Sequence, residues 1–319
     1  MGSVGFSKGD NIIITPVLKR LKELGYHITV DTSERGEKIF RHNPNIDEII
    51  VGIDNSKPPG ELVLYWDKLE KDMKPDKFIN FSESIECTLA IHPAGPLYVY
   101  PKKDRYAQCD KNYYDFAAEW AKVEGCQKLP EMFYTPEEEE AAKALLKPNK
   151  FNIIWHLSGS GGQKVYPWAD YVMGELLNKH SDIHFITTGD KKCQRLETHK
   201  EKDITNISGV VDVRVAMCLT KYVNLVVSPD TGVLHASGCS NTPKIALLGH
   251  TTINNITKNF INDYSLEADC ACAPCFHLIY DYTVQCPVEP LTQAAWCMSE
   301  GLPPERVSER IEYVYKFTR

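Results

Sequence analysis

The sequence predicts an α/β protein with parallel sheets and crossover helices. Three observations support this fold class. Strand-like and helix-like segments alternate along the chain, the pattern of strand, loop and helix restarts near residue 151, and the polar stretch 145–150 separates the two series. A chain of 319 residues, 43% of them apolar, fits two medium-sized domains better than one. We therefore expect two Rossmann-like domains.

The first series of elements occupies the N-terminal half. Apolar residues at helical spacing predict helices over 11–25, 34–44, 112–125 and 136–146. Strands are predicted over 26–33, 47–53 and 77–82, the second of them short and buried, and a further helix is predicted through Cys87. Residues 1–8 are too few and too rich in glycine for a normal opening strand. We expect either that this strand is very short or that the start codon is misplaced.

The second series begins at residue 151. Strands are predicted over 151–157, 183–190, 224–230 and 244–249. Helices are predicted from about Pro167, over 213–222, from about Thr231 and over 304–317. These elements give an N-terminal domain over 1–147, a C-terminal domain over 148–303, and a last helix within 304–319 that can pack on either half.

Composition excludes several classes of protein. No apolar run is long enough to cross a membrane and the first residues do not resemble a secretion signal, so a cytoplasmic protein is expected, with peripheral membrane contact left open. The formal net charge of −7 is spread along the chain, which argues against broad nucleic-acid binding but leaves a local basic groove open. Eleven cysteines, an odd number, favour reduced thiols.

The sharpest candidate segment is 228–249, where Asp230, Thr231 and Gly232 follow a predicted strand and precede a predicted helix. Ligands bind at this end of the strands in open α/β sheets, and the free N–H groups at the start of a helix suit a diphosphate. Asp230 and Thr231 are also good helix caps. The segment alone therefore leaves a binding role and a capping role equally open.

A second candidate is the glycine-rich loop 158–164, which also lies between a strand and a helix. Ser158, Ser160 and Gly161 would let the backbone approach phosphate oxygens, and Lys164 would offer a positive charge to a diphosphate leaving group. The loop lacks the closing Gly-Lys-Ser/Thr of a P-loop, and neither glycine-rich loop has the G-x-G-x-x-G pattern of a nicotinamide-dependent oxidoreductase. A surface loop with an incidental lysine is the plain alternative.

Two weaker candidates lie elsewhere. Asp10 stands at the head of the first predicted helix, where a carboxylate facing the cleft between domains would suit a general base, although an aspartate before a helix is most often a cap. Thr188, Gly189 and Asp190 follow the strand over 183–190 and are candidates for contacts to a nucleotide base.

Four short elements together resemble the ADP-heptose:lipopolysaccharide heptosyltransferases of glycosyltransferase family 9. They occur in the family's order and span nearly the whole chain. They consist of Gly9, Asp10, Thr15, Pro16, Leu18 and Lys19, then Asn43, Pro44, Ile46 and Asp47, then Lys164 and Pro167, and last Asp230, Thr231, Gly232 and His235.

The resemblance implies a GT-B fold, in which two Rossmann-like domains face each other across a cleft. It implies an inverting, metal-independent transfer of a sugar from a nucleotide sugar, with an ADP-sugar as the expected donor, to an acceptor hydroxyl held by the N-terminal half. It assigns Asp10 as the general base, Lys164 as a diphosphate contact and Asp230 as a donor-sugar contact. Thr231 and Gly232 would offer N–H groups to phosphate, and His235 is either a ligand contact or a packing residue.

The resemblance does not identify the sugar or the acceptor. A glycan acceptor is preferred, and the same chemistry on a nucleic acid or protein is the alternative, although no strip of basic and aromatic residues supports a nucleic acid. A non-catalytic nucleotide-sugar-binding protein is a rival hypothesis. The presence of both Asp10 and Asp230 disfavours it, because a pure binder needs no base.

A cysteine cluster near the end of the second half is the last feature of note. It contains Cys270, Cys272, Cys275, Cys286 and Cys297, with His277 among them. Buried reduced thiols are the first interpretation, a structural metal held by Cys270, Cys272, Cys275 and Cys286 the second, and a disulfide the third. Pro274, Cys275, Cys286, Cys297 and Met298 also resemble an arrangement found in the family, which implies a shared packing role.

Overall fold

The computed structural model describes residues 8–54, 59–82, 84–85, 88–89, 99–198, 201–277 and 286–318. The chain begins there with two consecutive helices, α1 (Lys8–Ile13) and α2 (Thr15–Glu23). Gly25 follows with a φ of 89°, a backbone conformation that glycine adopts without strain. The predicted first helix is therefore confirmed, in two pieces. Residues 1–7 and Cys87 lie outside the described residues, and with them the predictions for the opening strand and for a helix through Cys87.

A small parallel sheet follows. It consists of β1 (Thr29–Thr32) and β2 (Glu48–Val51), joined through α3 (Glu34–Phe40). The prediction that the second strand is buried was wrong. Both ends of β2 are exposed because the strand has only β1 beside it in the described part of the chain.

The predicted strand over 77–82 is not formed. After β2 come α4 (Pro59–Met73) and then an irregular segment that lines a cavity of about 750 Å³. The cavity is also lined by every residue from 28 to 32, and since neighbouring strand residues point to opposite faces, it borders the backbone edge of β1. A strand needs a hydrogen-bonding neighbour about 4.8 Å away. The cavity separates 77–82 from the only strand edge near it among the described residues.

Three further helices complete the N-terminal part. They are α5 (Lys102–Cys109), α6 (Tyr113–Ala121) and α7 (Pro136–Lys143). Asn112 accepts the N–H of Asp115 at the start of α6, and Thr135 and Glu138 form a reciprocal capping box on α7. The acidic residues in the first turn of α7 lie at the positive end of the helix dipole, which favours them there.

The C-terminal part is built around a six-stranded parallel sheet. Its elements are β3 (Phe151–His156), α8 (Ala169–Lys179), β4 (Ile183–Thr188), β5 (Ile204–Asn206), α9 (Val213–Leu219), β6 (Leu225–Pro229), α10 (Gly232–Ser237), β7 (Lys244–Leu248), α11 (Ile253–Ile256), β8 (Leu266–Glu267), α12 (Trp296–Ser299) and α13 (Pro304–Phe317). The strand order is β5-β4-β3-β6-β7-β8, so the chain reverses direction across the sheet between β3 and β6. The strands predicted in this half are all confirmed. In such sheets ligands bind at the carboxyl ends of the strands where the order reverses.

The two parts are joined by packing and by one buried arginine. α1 packs on α10, and Ile12 and Ile39 share an apolar cluster with Ile154 and Val226. The side chain of Arg214 in α9 is 2% exposed and donates to Glu138 and to the backbone carbonyls of Lys38 and Phe133. Among the described residues, no helix is long and apolar enough to cross a membrane.

Candidate functional site

The structure places Lys164 against Asp230 at the reversal point of the large sheet. Lys164 ends a short 3₁₀ turn, Gly162–Lys164, in the loop after β3, and Asp230 directly follows β6. Lys164 Nζ lies 3.0 Å from Asp230 Oδ2, and the two side chains are 12% and 11% exposed. Two residues that the sequence proposed from separate segments therefore form one nearly buried ion pair.

His235 and Tyr114 extend this pair into a network. His235 Nε2 lies 3.2 Å from the second carboxylate oxygen of Asp230, and its Nδ1 lies 2.7 Å from the hydroxyl of Tyr114 in α6. Both contacts are satisfied when the tyrosine hydroxyl donates to Nδ1 and Nε2–H donates to the carboxylate. His235 is 1% exposed. His235 is therefore a buried packing residue that also orients the Asp230 carboxylate.

The charge of Asp230 is set by these neighbours. Burial acts to raise its pKa, but the Lys164 ammonium and the hydrogen bond from His235 outweigh burial and hold the pKa well below its usual range. Asp230 is therefore ionised at neutral pH. A buried carboxylate and ammonium at the reversal point can contact the hydroxyl groups and the phosphates of a ligand respectively.

The glycine-rich loop packs closely around the ion pair. A Cβ on Gly159 would come within 2.6 Å of Lys164 Cδ and 3.2 Å of Thr231 Cγ2, so only glycine fits there without displacing a neighbour. Gly161 is buried, whereas Ser160 is exposed. Ser158 Oγ lies 3.0 Å from Cys193 Sγ and ties the loop to the segment after β4.

Thr231 does not act as the side-chain cap that its sequence allowed. It occupies the N-cap position of α10, but its side chain makes no capping hydrogen bond, and its hydroxyl lies 2.9 Å from Ser228 Oγ. Gly232 is the first residue of α10, which has six residues. Thr231 and Gly232 lie beside the Lys164–Asp230 pair because they directly follow Asp230 in the chain.

Asp190 is a cap. Its Oδ1 accepts the N–H groups of Lys192 and Cys193 at 2.8 and 3.2 Å and so begins a 3₁₀ helix. Thr188 and Gly189 lie at the same sheet edge as the glycine-rich loop, since the carbonyl of Thr188 accepts the N–H of Leu157 at 2.9 Å. The sequence did not distinguish a helix cap from a ligand contact at Asp190, because an aspartate suits both roles.

Asp10 lies in the first turn of α1. Because α1 packs on α10, which begins two residues after Asp230, the N-terminal helix is brought to the reversal point of the large sheet. Asp10 is half-buried there.

Three residues of this region were missed in the sequence. Gly159 belongs to the glycine-rich loop, and its place in that loop was the signal in the sequence. Tyr114 reaches His235 from 121 residues away, and no local pattern indicates such a contact. His250 follows β7 and lies close enough to Lys164 and Asp230 for their charges to act on its pKa. The signal for His250 in the sequence was its position just after a predicted strand.

Burial acts on four thiols of the cysteine cluster. Burial raises the pKa of Cys272 to about 12 and that of Cys275 to about 11, and it also raises those of Cys286 and Cys297. Cys270 Sγ and Cys272 Sγ are 3.5 Å apart, and both thiols are free. Within the described ranges, which omit 278–285, no group of three or more His, Cys, Asp or Glu is arranged to hold a metal ion. A structural metal held by Cys270, Cys272, Cys275 and Cys286 stays a prediction.

Comparisons with known proteins agree on a family. Residues 103–280 match the family model of glycosyltransferase family 9 (heptosyltransferase). No curated protein sequence matches the chain.

Solved structures show the same fold. A glycosyl transferase family 9 protein from Veillonella parvula is 15% identical, with a TM-score of 0.66 over 97% of this chain and 94% of that one. E. coli ADP-heptose lps heptosyltransferase II is 15% identical, with a TM-score of 0.61 over 97% and 96%. The iron-containing E. coli heptosyltransferase TibC, solved with ADP-D-β-D-heptose, is 9% identical, with a TM-score of 0.60 over 98% and 75%. The fold is therefore the GT-B architecture that the sequence predicted.

Proposed function

This chain belongs to glycosyltransferase family 9, and from that premise we propose that it transfers a heptose or related sugar, with inversion, from a nucleoside-diphosphate donor to a hydroxyl group of a glycan. Its activity is that of a nucleotide-sugar glycosyltransferase. An ADP-linked donor is part of the proposal, supported by the ADP-heptose named for two proteins of the same fold.

The Lys164–Asp230 pair is the observation that carries this proposal. In the proposed complex the Lys164 ammonium contacts the diphosphate and balances the charge that develops as it leaves. Asp230, held ionised and oriented by His235, accepts hydrogen bonds from hydroxyl groups of the donor sugar. In this proposal the residues from 148 to 303 form the donor side and those from 1 to 147 the acceptor side, and 304–319 is the C-terminal helix.

Asp10 is the proposed general base. The acceptor oxygen attacks the anomeric carbon, the bond from that carbon to the diphosphate oxygen breaks, and Asp10 takes the proton from the acceptor hydroxyl. Attack opposite the leaving group inverts the anomeric centre. The packing of α1 on α10 supports the assignment, because it brings the helix of Asp10 to the donor side.

The cavity beside β1 supports an acceptor site on the N-terminal side. It encloses about 750 Å³, and Asn11, the neighbour of Asp10, lines it. Polar residues such as His27, Asp31 and Lys77 share its lining with apolar ones. A space of this size suits a sugar acceptor.

Thermal unfolding against a panel of nucleoside diphosphates and nucleotide sugars tests the proposal. A ligand that binds only the folded state raises the unfolding midpoint. We expect the shift to be lost in Lys164→Met and Asp230→Asn and kept in Asp10→Asn, which should instead lose sugar transfer. Lys68→Met, which changes an exposed lysine of α4, is the matched control and should keep both. A folded wild-type protein that responds to no member of the panel would contradict the proposal.

A further inference from the structure

Two consecutive buried residues just after β7 have a side-chain polar atom without a hydrogen-bond partner in the described part of the chain. His250 is 2% exposed and Thr251 1% exposed, and within the described part of the chain neither His250 Nε2 nor Thr251 Oγ1 contacts a hydrogen-bonding atom. Leaving a buried polar group unpaired costs about 1–3 kcal/mol. Two such groups in adjacent residues indicate a partner that arrives with a ligand.

The neighbouring residue shows that this is not a general property of the segment. Thr252 Oγ1 donates to Asp110 and accepts the N–H of Asn255 at 3.0 Å, as part of a capping box on α11. The backbone of His250 is also fixed, since its carbonyl accepts the N–H of Phe276 at 2.8 Å. Only the two side chains that lie between the end of β7 and this capping box are left unpaired.

The surroundings of His250 indicate which part of a donor it meets. Burial lowers its pKa to about 3, and the Lys164 ammonium acts in the same direction, so the imidazole is neutral at neutral pH. Lys164 already supplies the positive charge that a diphosphate requires. A neutral imidazole and a hydroxyl each offer both a donor and an acceptor, and sugar hydroxyls have the same dual capacity.

We propose that His250 Nε2 and Thr251 Oγ1 bind hydroxyl groups of the donor sugar, and that His250 helps to determine which sugar is accepted. This inference rests on the proposed function and names a specificity residue of that site. Hydroxyl recognition by buried polar groups is selective, because a sugar that lacks the matching hydroxyl leaves those groups unpaired.

Calorimetric titration with ADP and with ADP-D-β-D-heptose tests the inference. His250→Ala should weaken binding of the sugar nucleotide about tenfold, equivalent to about 1.4 kcal/mol, and leave ADP binding unchanged. His250→Gln places an amide nitrogen near the position of Nε2 and should recover part of the loss. Thr251→Val keeps the shape of the side chain, removes its hydroxyl and should cost roughly threefold to tenfold for the sugar nucleotide alone.

The outcomes separate the two proposals. Equal losses for both ligands, or no loss for either, would overturn the inference while leaving the proposed function in place. If His250→Ala does not fold, His250→Gln and Thr251→Val decide the question. A folded wild-type protein that binds neither ligand would contradict the ADP-sugar proposal itself, and this inference with it.

Discussion

The two sheets of this protein differ in how completely their strands are paired. In the large sheet, β3, β4, β6 and β7 each have a strand on both sides, and their residues are almost fully buried. In the small sheet, β1 and β2 pair only with each other in the described residues, and the free edge of β1 borders the cavity of about 750 Å³. Apart from Asp10 and Tyr114, the candidate site residues all lie on the completely paired side.

This difference has a physical meaning for catalysis. Groups that orient a reacting bond work best when packing fixes their rotamers, and the Lys164–Asp230–His235 network has that support. The proposed acceptor side instead contains the cavity of about 750 Å³. A rigid donor side and a roomier acceptor side suit an enzyme that holds one substrate firmly while another enters.

The largest expected effect comes from breaking the link between the two regions. Arg214→Met keeps an unbranched side chain but removes the guanidinium, which leaves Glu138 and two backbone carbonyls without their partner. We expect a loss of about 3–5 kcal/mol in the free energy of unfolding, measured with denaturant at neutral pH. The exposed Arg35→Met is the control and should stay within about 0.5 kcal/mol. A loss below about 1 kcal/mol for Arg214→Met would show that the link is unimportant.

Matched leucine truncations compare the packing of the two regions directly. Leu176 in α8 is fully buried in the large core, whereas Leu21 in α2 lines the cavity. We expect Leu176→Ala to cost about 2–5 kcal/mol and Leu21→Ala about half as much, because a side chain at a cavity lacks contacts on one side. Equal costs in chemical denaturation would mean that both regions are packed alike.

The third prediction concerns acid sensitivity. His184 in β4 is fully buried, with hydrogen bonds of 2.8 Å to Asn152 and to Thr205, and burial lowers its pKa to about 4. Because this pKa lies below the unfolded value of about 6.5, the unfolded chain binds more protons between pH 6.5 and 4. As the pH falls through that window, protonation of His184 in the unfolded chain therefore lowers the free energy of unfolding by about 1.4 kcal/mol for each pH unit.

Unfolding free energies across that pH range check this prediction. His184→Gln should flatten the acid slope relative to the wild type. The same change at His27, whose side chain is 73% exposed, is the control and should alter the unfolding free energy by no more than about 0.5 kcal/mol. An unchanged slope in His184→Gln would mean that His184 is protonated in the folded protein as readily as in the unfolded chain.

The smallest expected effects come from alanine substitutions of two glycines in the C-terminal part, one of which should alter donor binding and the other only stability. A Cβ on Gly159 meets the Lys164 side chain, whereas one on Gly174 in α8 meets nothing within 4 Å. We expect Gly159→Ala to weaken donor binding roughly threefold to tenfold by moving Lys164. Gly174→Ala should leave binding unchanged and stabilise α8 by about 0.5–1 kcal/mol. Calorimetry and thermal unfolding measure the two effects, and unchanged affinity in Gly159→Ala would argue against tight packing of the loop.

The sequence predicted the large sheet well because its strands are short apolar runs bounded by polar loops. Segment 77–82 has the same local pattern and forms no strand, since a strand also depends on a neighbour that the local pattern does not reveal. Secondary structure was therefore predictable where each strand has its partners.

The candidate site was predictable in part. Lys164 and Asp230 were found because loops after parallel strands meet at one edge of a sheet. His250 was not, because a single histidine after a strand has no distinctive spacing, and its importance lies in a buried nitrogen that has no partner. Asp190 caps a short helix, and its sequence allowed that role and a ligand contact equally.

Among the described residues one edge of β1 has no strand beside it, and this bears on how separate molecules of this protein behave toward one another. An unpaired strand edge is a template for a strand of another chain and so favours aggregation. Here the edge borders the cavity, which is also lined by Leu18 of α2 and by Leu69 and Met73 of α4, so these helices stand beside it. Loosening α4 would bring that edge within reach of a second molecule, and the first sign of such damage would be self-association.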